Sequence, residues 1–297
     1  GFLTKWKEAL LTQLYLRTLP AVSGEQDKTV GPECFKELVS EVAREFANVV
    51  PVRLDWIESQ LSQFPLHYLH GTPPKRIAAH LGAIKRLQAG DVLVEETFNE
   101  ELGMCEYTVI THDNLTLGIF SKIVGVMTAL GLQILDAQII TRDDGAVVGA
   151  FKVSTTDYAC VAPVERRASV AATIVRVLKG EEEVERLIPP NTCLLSVRRL
   201  PTIRQATEVQ IDNETTDRST IIDVFADEMQ GLLYVITQAI FRLGLSVHTA
   251  RISLRQELNQ VADVFYVTDG DGTKIENHAR LEAIRSTIKQ DIDLFLG

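Results

Sequence analysis

Two stretches of this chain show the same succession of apolar and polar positions. In residues 113–141, apolar side chains first recur at the spacing of a helix and then alternate as in a β-strand. The same order returns in residues 227–254, and each helix ends at a Leu-Gly-Leu. The chain is therefore predicted to contain a duplicated turn–helix–strand unit. A constant offset of 113 residues relates the glycines of the two copies, Gly118 to Gly231 and Gly131 to Gly244.

The strand of each copy changes its alternation partway along. In the first strand the apolar residues move from even to odd positions at Ile134 and Leu135. In the second strand they move from odd to even positions after Val247. A slip of one residue is typical of a β-bulge, because it moves side chains to the other face of the sheet. We therefore expect a bulge or bend at the equivalent place in both strands.

The rest of the pattern predicts helices in the first third of the chain, followed by a mixture of strands and helices. Amphipathic periodicity predicts helices at residues 2–19, 32–49, 54–64 and 75–88. Alternating or β-branched runs predict strands at residues 92–97, 106–112, 146–153, 193–199, 207–212, 220–226 and 260–268. Further helices are predicted at residues 164–179 and 276–296.

These elements predict an α+β fold. In the first copy, the order strand, helix, strand, strand, helix, strand is that of a ferredoxin-like βαββαβ unit. The second copy has no closing strand, so residues 207–212 are expected to take that place by pairing with their neighbour in the second sheet. A length of 297 residues suggests two or three domains. We place an all-helical segment at residues 1–90 and ferredoxin-like domains at 91–203 and 204–297.

Composition narrows the class of partner. Acidic residues outnumber basic residues by 40 to 30, and this charge of −10 argues against nucleic acid, whose binders carry a basic face. No apolar run approaches the roughly 20 residues of a membrane span, so no membrane partner is expected. The four cysteines are scattered without a paired spacing, which favours reduced thiols and a cytoplasmic protein. Because the chain begins with Gly1 and enters an amphipathic segment at once, we interpret it as part of a longer protein.

The two helix starts carry the candidate chemistry. A helix N-terminus presents backbone N–H groups and a partial positive charge, which attract a carboxylate. A glycine at that point lets a ligand approach the backbone closely, and nearby carboxylate and amide oxygens are suited to accept from an ammonium group. The turns therefore predict a site for a free amino acid, with the alternative that each turn only caps a core helix. The candidate ligand-binding residues are Asp113, Asn114, Leu117, Gly118, Ile119, Asp227, Gln230, Gly231 and Leu232.

The remaining motifs do not predict a catalytic or metal site. His67 and His70 form an HxxH with His80 further on, but the surrounding prolines and glycine argue against the regular helix that shared metal ligation needs. We interpret these histidines as packing or surface residues. The His-Asp dipeptide at residues 112–113 ends a predicted strand, so we do not interpret it as a metal site. The Asp-Gly-Asp-Gly at residues 269–272 lacks the remaining acidic positions of a calcium loop. No GxSxG, P-loop, HExxH or GxGxxG occurs, so we assign no catalytic residue and expect no metal or cofactor in this chain.

The two copies resemble ACT domains, the βαββαβ modules that sense amino acids in metabolic enzymes. More specifically, three stretches resemble the bifunctional uridylyltransferase/uridylyl-removing enzyme family that acts on the PII nitrogen-regulatory protein. The C-terminal ACT region of that family resembles DNETTDRSTIIDVFADEMQGLLYVITQAIFRLGLSVHTARI followed by VADVFYVTD. Its stretch before the first ACT domain resembles FPLHYLHGTPPKRIAAHL, and the helical tail of its HD domain resembles WKEALLTQLYLRT.

This resemblance implies a glutamine sensor that controls nitrogen metabolism. In the family, a nucleotidyltransferase domain uridylylates PII, an HD domain removes the group, and glutamine at the ACT domains shifts the balance. By this resemblance we expect the chain to start after both catalytic centres. Mg²⁺ is then expected only for the missing domains, and PII is expected as a partner of the full-length enzyme. The chain departs from the family at Gln230, where ACT turns usually place proline, and by one extra residue between Asp113 and Gly118. The alternative is a module that binds no ligand, in which ACT–ACT association holds the helical part in place.

Overall fold

The computed structural model describes residues 32–47, 53–99, 104–155, 164–187, 206–255 and 260–297. These residues form two compact units. One is helical and consists of the described residues up to Arg86 together with Arg142–Asp144, and the other spans Leu87–Thr141 and Gly145–Gly297. The helix predicted at residues 2–19 and the strand predicted at 193–199 lie outside the described residues.

The helical unit contains four helices in the described ranges, α1 (Pro32–Ala47), α2 (Leu54–Leu61), α3 (Leu66–Gly71) and α4 (Pro74–Arg86). Apolar side chains three or four positions apart form a buried stripe on α1, α2 and α4, as expected of amphipathic helices. These buried residues include Val39, Val42, Phe46, Ile57, Leu61, Ile77 and Leu81. The structure confirms the three predicted helices in the described residues, and α2 ends three residues and α4 two residues earlier than expected.

Helix α3 lies where the sequence analysis argued against a helix. Pro65 does not prevent it, because this proline precedes the first helical residue, where a missing N–H removes no helical hydrogen bond. Its carbonyl instead accepts from the Tyr68 N–H at 3.0 Å. His67 and His70 therefore belong to one short helix. His80 is buried on α4, with its Nδ1 2.6 Å from the Tyr68 hydroxyl.

An arginine is buried in the helical unit. The Arg142 side chain is 0% exposed and lies 2.8 Å from the Asp144 carboxylate and 2.9 Å from the Gln60 side-chain oxygen. Its guanidinium also lies 4.7 Å from the centroid of the Phe64 ring, a distance typical of a cation–π contact. The Asp143 N–H donates to the Gln63 carbonyl at 3.1 Å. Burial lowers the pKa of Arg142, and the Asp144 carboxylate opposes that shift.

The second unit is built on an eight-stranded antiparallel sheet. The half of the sheet that contains the first copy consists of β1 (Leu93–Asn99), β2 (Met104–His112), β3 (Leu132–Thr141) and β4 (Ala146–Thr155). The second contributes β5 (Glu208–Asp212), β6 (Thr220–Asp227), β7 (Leu245–Arg255) and β8 (Gln260–Asp269). The order across the sheet is β1-β2-β4-β3-β7-β8-β6-β5, so the two copies lie side by side and meet where β3 pairs with β7.

The predicted α+β class, helical first and ferredoxin-like afterwards, is confirmed. As expected, β5 pairs with β6 and closes the second copy. Strand β1 pairs with the first strand of the first copy, β2, which is where the fourth strand of a ferredoxin-like unit lies. The sequence left open how the sheets of the two copies pair, and the β3–β7 pairing joins them into one continuous sheet. The domain boundaries at residues 91–203 and 204–297 stay predictions.

Both predicted bulges occur. The register of β3 against β4 shifts between Ile134 and Asp136, which leaves Leu135 as the extra residue. The register of β7 against β8 shifts between Val247 and Thr249, which leaves His248 as the extra residue. Leu135 and His248 are 113 positions apart, so the bulge is part of the duplicated unit. A bulge redirects the side chain of its extra residue relative to the regular alternation.

Five helices belong to this unit in the described ranges, α5 (Ile119–Ala129), α6 (Val164–Leu178), α7 (Val184–Leu187), α8 (Leu232–Arg242) and α9 (His278–Leu296). Their apolar faces share one core with alternate residues of the strands of both copies. The Phe120 ring of α5 lies 6.0 Å from Phe151 of β4 and 6.3 Å from Phe265 of β8. None of the helices in the described part combines the length and the apolar composition of a membrane span.

A carboxylic acid is buried in this core. Asp263 lies between Val261 and Phe265 along the buried face of β8 and is 1% exposed. Its Oδ1 accepts from the Ser253 N–H at 3.2 Å, whereas its Oδ2 has no hydrogen-bond partner. Burial raises the pKa of Asp263 well above its ordinary value of 3.8. The charged form of this group is therefore costly in the folded state.

We expect Asp263→Asn to stabilise the chain at pH 7 by about 1–2 kcal/mol, a gain that should vanish near pH 4. The folded state holds the proton more tightly than the unfolded state. Stability therefore falls as pH rises from about 4 through the raised folded pKa. Asparagine keeps the acceptor for Ser253 and has no proton to lose. Urea unfolding at pH 4 and pH 7 checks the difference, with the exposed Asp217→Asn as control. Equal gains at both pH values would contradict the explanation.

Candidate ligand-binding site

A cavity of about 610 Å³ lies between the two copies, within the sheet unit. One wall is the turn before α5 and its first helical turn. The opposite wall is the end of α8 and the start of β7, and residues of β3 and β4 form the rest. The wall residues that carry chemistry are Asp113, Asn114, Thr116, Gly118, Ser121, Thr237, Phe241, Ser246 and His248.

Helix α5 opens onto this cavity at a glycine. Gly118 has a left-handed conformation with φ of 70°, which glycine adopts without the penalty that a Cβ brings. The Lys122 N–H donates to the Gly118 carbonyl at 2.9 Å, so the three preceding N–H groups have no intrahelical acceptor. At the equivalent point of α8, the Leu232 N–H donates to the Met229 carbonyl at 2.9 Å. The two-residue turn before the helix is the same in both copies, at residues 117–118 and 230–231.

A phenylalanine from the second copy packs directly on this glycine. A Cβ at position 118 would lie 2.9 Å from Cδ2 of Phe241 and 3.0 Å from its Cε2, closer than carbon atoms can approach. Phe241 is 38% exposed, which is unusual for so large an apolar side chain. Glycine is therefore needed here for two reasons, its backbone conformation and the close approach of an aromatic ring.

Ser121 gives the cavity an unsatisfied hydroxyl. This residue is only 3% exposed, yet its Oγ has no hydrogen-bond partner in the structure. Buried hydroxyls are nearly always bonded, so this orphan hydroxyl on a cavity-lining residue is a candidate partner for a bound molecule. Ser121 stands in the first turn of α5, where the helix dipole also favours a negative group. The unsatisfied hydroxyl and the favourable end of the helix dipole therefore lie together at the first turn of α5.

The turn before α5 is held in place by its own contacts. The Asp113 N–H donates to the Gly145 carbonyl at 2.9 Å, which joins this turn to the hairpin between β3 and β4. A Cβ at Gly145 would lie 2.9 Å from Asp113 Oδ1, so glycine allows the carboxylate to lie there. The Lys122 ammonium donates to the Thr116 hydroxyl. The backbone of this turn is therefore anchored, and the exposed Asp113 carboxylate lies on the cavity wall.

His248 stands on the opposite wall. Its Nε2 lies 2.8 Å from the Thr268 hydroxyl oxygen, which fixes the orientation of the ring. Burial lowers the pKa of His248, and the Asp113 carboxylate opposes that shift. The imidazole is therefore neutral at pH 7 and offers one donor and one acceptor nitrogen. With Nε2 engaged by Thr268, the other nitrogen is the one left for a ligand.

The structure brings together the first-copy half of the candidate set. Asp113, Asn114, Leu117, Gly118 and Ile119 all line the cavity. The second-copy half, Asp227, Gln230, Gly231 and Leu232, is not among its wall residues. That turn does share the left-handed glycine, since Gly231 has φ of 91°. The role of all nine residues in ligand binding stays a prediction.

The sequence analysis missed the wall that the second copy provides. Phe241, Ser246 and His248 lie more than 100 residues from Gly118 and reach it only because β3 pairs with β7. A signal was available for His248, since it falls at the predicted bulge of the second strand. Ser121 was also identifiable as a polar residue on the apolar side of α5.

Three motifs of the sequence bear on metal binding, namely the HxxH at residues 67–70, the His-Asp dipeptide at 112–113 and the DGDG at 269–272. Within the described residues, no group of three or more His, Cys, Asp or Glu side chains is arranged to hold a metal ion. His70 is exposed, and the His67 side chain lies outside the part that the structure describes. The expectation that this chain holds no cofactor stays a prediction.

Comparison with known proteins finds one matching family model and similar curated proteins. The family model described as the ACR9-like, ACT-like domain matches residues 208–296. The bifunctional uridylyltransferase/uridylyl-removing enzyme of Rhodospirillum rubrum is 31% identical over 297 residues, which cover 97% of this chain and 30% of that enzyme. The enzyme of the same name from Bradyrhizobium diazoefficiens is 30% identical over 290 residues, and this alignment also covers 97% of this chain and 30% of that enzyme.

Among solved structures, the crystal structure of aspartate kinase from Synechocystis aligns with a TM-score of 0.38 and 16% identity. The alignment covers 65% of this chain and 28% of the kinase chain. The chain spans about 30% of the length of the curated relatives that it matches. Over 97% of its length this protein is therefore similar to the C-terminal region of the bifunctional uridylyltransferase/uridylyl-removing enzymes, and its residues 208–296 match the model of an ACT-like domain.

Proposed function

We propose that this chain is the glutamine-sensing regulatory region of a bifunctional uridylyltransferase/uridylyl-removing enzyme, and that the cavity between its two copies binds the amino acid. The observation that carries the proposal is the glycine-opened start of α5, with the unpartnered Ser121 hydroxyl beside it. The similarity of 97% of the chain to this enzyme family supports the proposal independently.

The cavity is suited to the two ends of a free amino acid. The open N-terminus of α5 and the Ser121 hydroxyl are placed for the α-carboxylate, since backbone N–H groups and the helix dipole both favour an anion. Asp113 and Asn114 stand at the same turn and are placed for the α-ammonium. This arrangement puts the positive end of the ligand beside the Asp113 carboxylate.

The charge of the cavity wall limits the rest of the ligand. The wall carries the Asp113 carboxylate, and no lysine or arginine is among its lining residues in the described part. A ligand with an acidic side chain would bring a further negative charge into a site without a cation to match it. Glutamine is neutral overall and meets this condition, whereas glutamate does not.

The remaining family properties belong to the full-length enzyme. In this proposal, glutamine shifts the balance between uridylylation of PII and removal of the uridylyl group, both in the cytoplasm and at catalytic domains that use Mg²⁺. The ligand achieves this shift only if it binds one arrangement of the domains more tightly than the other. The chain itself supplies the site that the ligand occupies.

The alternative function is an interaction module without a ligand. The observation in its favour is the β3–β7 pairing, which joins the two copies into one sheet and provides a structural reason for the duplication. In that case the role of the sheet unit is to hold the helical part of the enzyme in place.

Titration calorimetry of the chain with free amino acids separates the two functions. We expect glutamine to bind and glutamate to bind at least about tenfold more weakly, because of Asp113. Ser121→Ala should weaken glutamine binding by about three- to tenfold, since it removes one hydrogen bond. Ser169→Ala, on the exposed side of α6, is the matched control. No heat with any amino acid, from a sample whose circular dichroism shows it folded, would favour the interaction module.

A further inference from the structure

We infer that His248 determines which amino acid the cavity accepts, by offering its ring to a neutral hydrogen-bonding side chain such as a primary amide. This inference rests on the proposed function and goes further, since it assigns ligand selection to one residue of the second copy.

The bulge in β7 places His248 on the cavity wall. Leu245, Ser246 and Val247 also line the cavity, so four consecutive residues of an extended strand contribute to one wall. Regular alternation would send every second side chain to the other face of the sheet. The register shift between Val247 and Thr249 removes that restriction at the position of the histidine.

The duplicated unit shows that the fold does not require histidine at this bulge. The equivalent residue of the first copy is Leu135, which occupies the same kind of bulge in β3. An apolar residue therefore satisfies the backbone geometry. The imidazole at 248 is a chemical difference between two otherwise equivalent positions, and it occurs on the wall of the cavity.

The groups around the ring favour an amide over other side chains. Thr268 engages Nε2 at 2.8 Å, and the Asp113 carboxylate is the charged group that acts on the ring. A neutral imidazole beside a carboxylate offers a hydrogen bond but no positive charge. An amide side chain completes that hydrogen bond. An apolar side chain displaces water from the nitrogen without replacing its hydrogen bond, which weakens binding.

The test is the replacement His248→Leu, which reproduces the first-copy bulge residue. We expect wild-type chain to bind glutamine at least about tenfold more tightly than leucine. In the variant, glutamine should bind about 10- to 100-fold more weakly and leucine about equally or better. Calorimetric titration of both ligands measures the ratio. His278→Leu, the same change at an exposed position, should leave the ratio unchanged.

A second variant keeps the test decisive if His248→Leu does not fold. His248→Gln retains a donor and an acceptor, and we expect it to keep the preference for glutamine over leucine. An unchanged ratio of glutamine to leucine affinity in His248→Leu, or a ratio near one in His248→Gln, would overturn the inference while leaving the sensor proposal intact. Wild-type chain that binds no amino acid would overturn both.

Discussion

Replacing Gly118 with alanine should reduce glutamine binding about 100-fold or more. The substitution places a Cβ 2.9 Å from the Phe241 ring, so the ring must move into the cavity or away from it. It also forces a non-glycine residue into a left-handed conformation, at a cost of about 1–2 kcal/mol. Finally, it covers the backbone N–H groups that the ligand carboxylate approaches. These three effects act on the same site, which makes the expected loss large.

The matched control separates backbone strain from blockage of the cavity. Gly180 has φ of 74° at the end of α6, and a Cβ there would meet no atom within 4 Å. Gly180→Ala should therefore destabilise the chain to a similar extent through strain and leave glutamine binding unchanged. Calorimetry measures the affinity and thermal unfolding measures the strain. Wild-type affinity in Gly118→Ala would mean that the open helix start is not where the ligand binds.

Replacing Arg142 with alanine should destabilise the helical unit by about 2–4 kcal/mol. The side chain is fully buried, and its removal ends the ion pair with Asp144 and the hydrogen bond to the Gln60 amide oxygen. It also removes the contact with the Phe64 ring and leaves a cavity. The lower part of the usual range applies because Asp144 is 43% exposed and water compensates some of its lost pairing.

Urea unfolding followed by the fluorescence of Trp56 measures this effect, in a background where Trp6 is replaced by phenylalanine. Trp56 lies on α2 and reports on this unit, since its ring lies 5.7 Å from that of Phe46. Arg53→Ala removes the same charge from an exposed ion pair with Asp55 and should change stability by less than about 0.5 kcal/mol. Similar losses in the two variants would show that the burial of Arg142 adds nothing.

The elements of the fold were predictable from sequence because their signals are local. Helix periodicity located α5 and α8, and a slip in alternation located the bulges at Leu135 and His248. The pairing of β5 with β6 followed from the missing closing strand. Helix α3 was missed because proline was taken as a breaker, although Pro65 stands before the helix, where it is tolerated.

The site was predictable only by half, for a different reason. The turn from Asp113 to Gly118 can be recognised within a single copy of the repeat. All of its candidate residues line the cavity. The facing wall depends on which edge strands of the two copies pair. Side-chain patterns within one copy do not specify that choice, because it is decided by the packing of α5 against α8 and by the β3–β7 register. Phe241 and His248 could therefore not be assigned to Gly118 from sequence.

The pairing of β3 with β7 has a consequence for how the protein responds to dilution. Where a cavity forms between separate subunits, its walls come apart as the protein concentration falls, and apparent ligand affinity falls with it. Here a single polypeptide supplies both walls, so their effective concentration is fixed by the chain. The ligand affinity of this cavity should be the same at nanomolar and at micromolar protein.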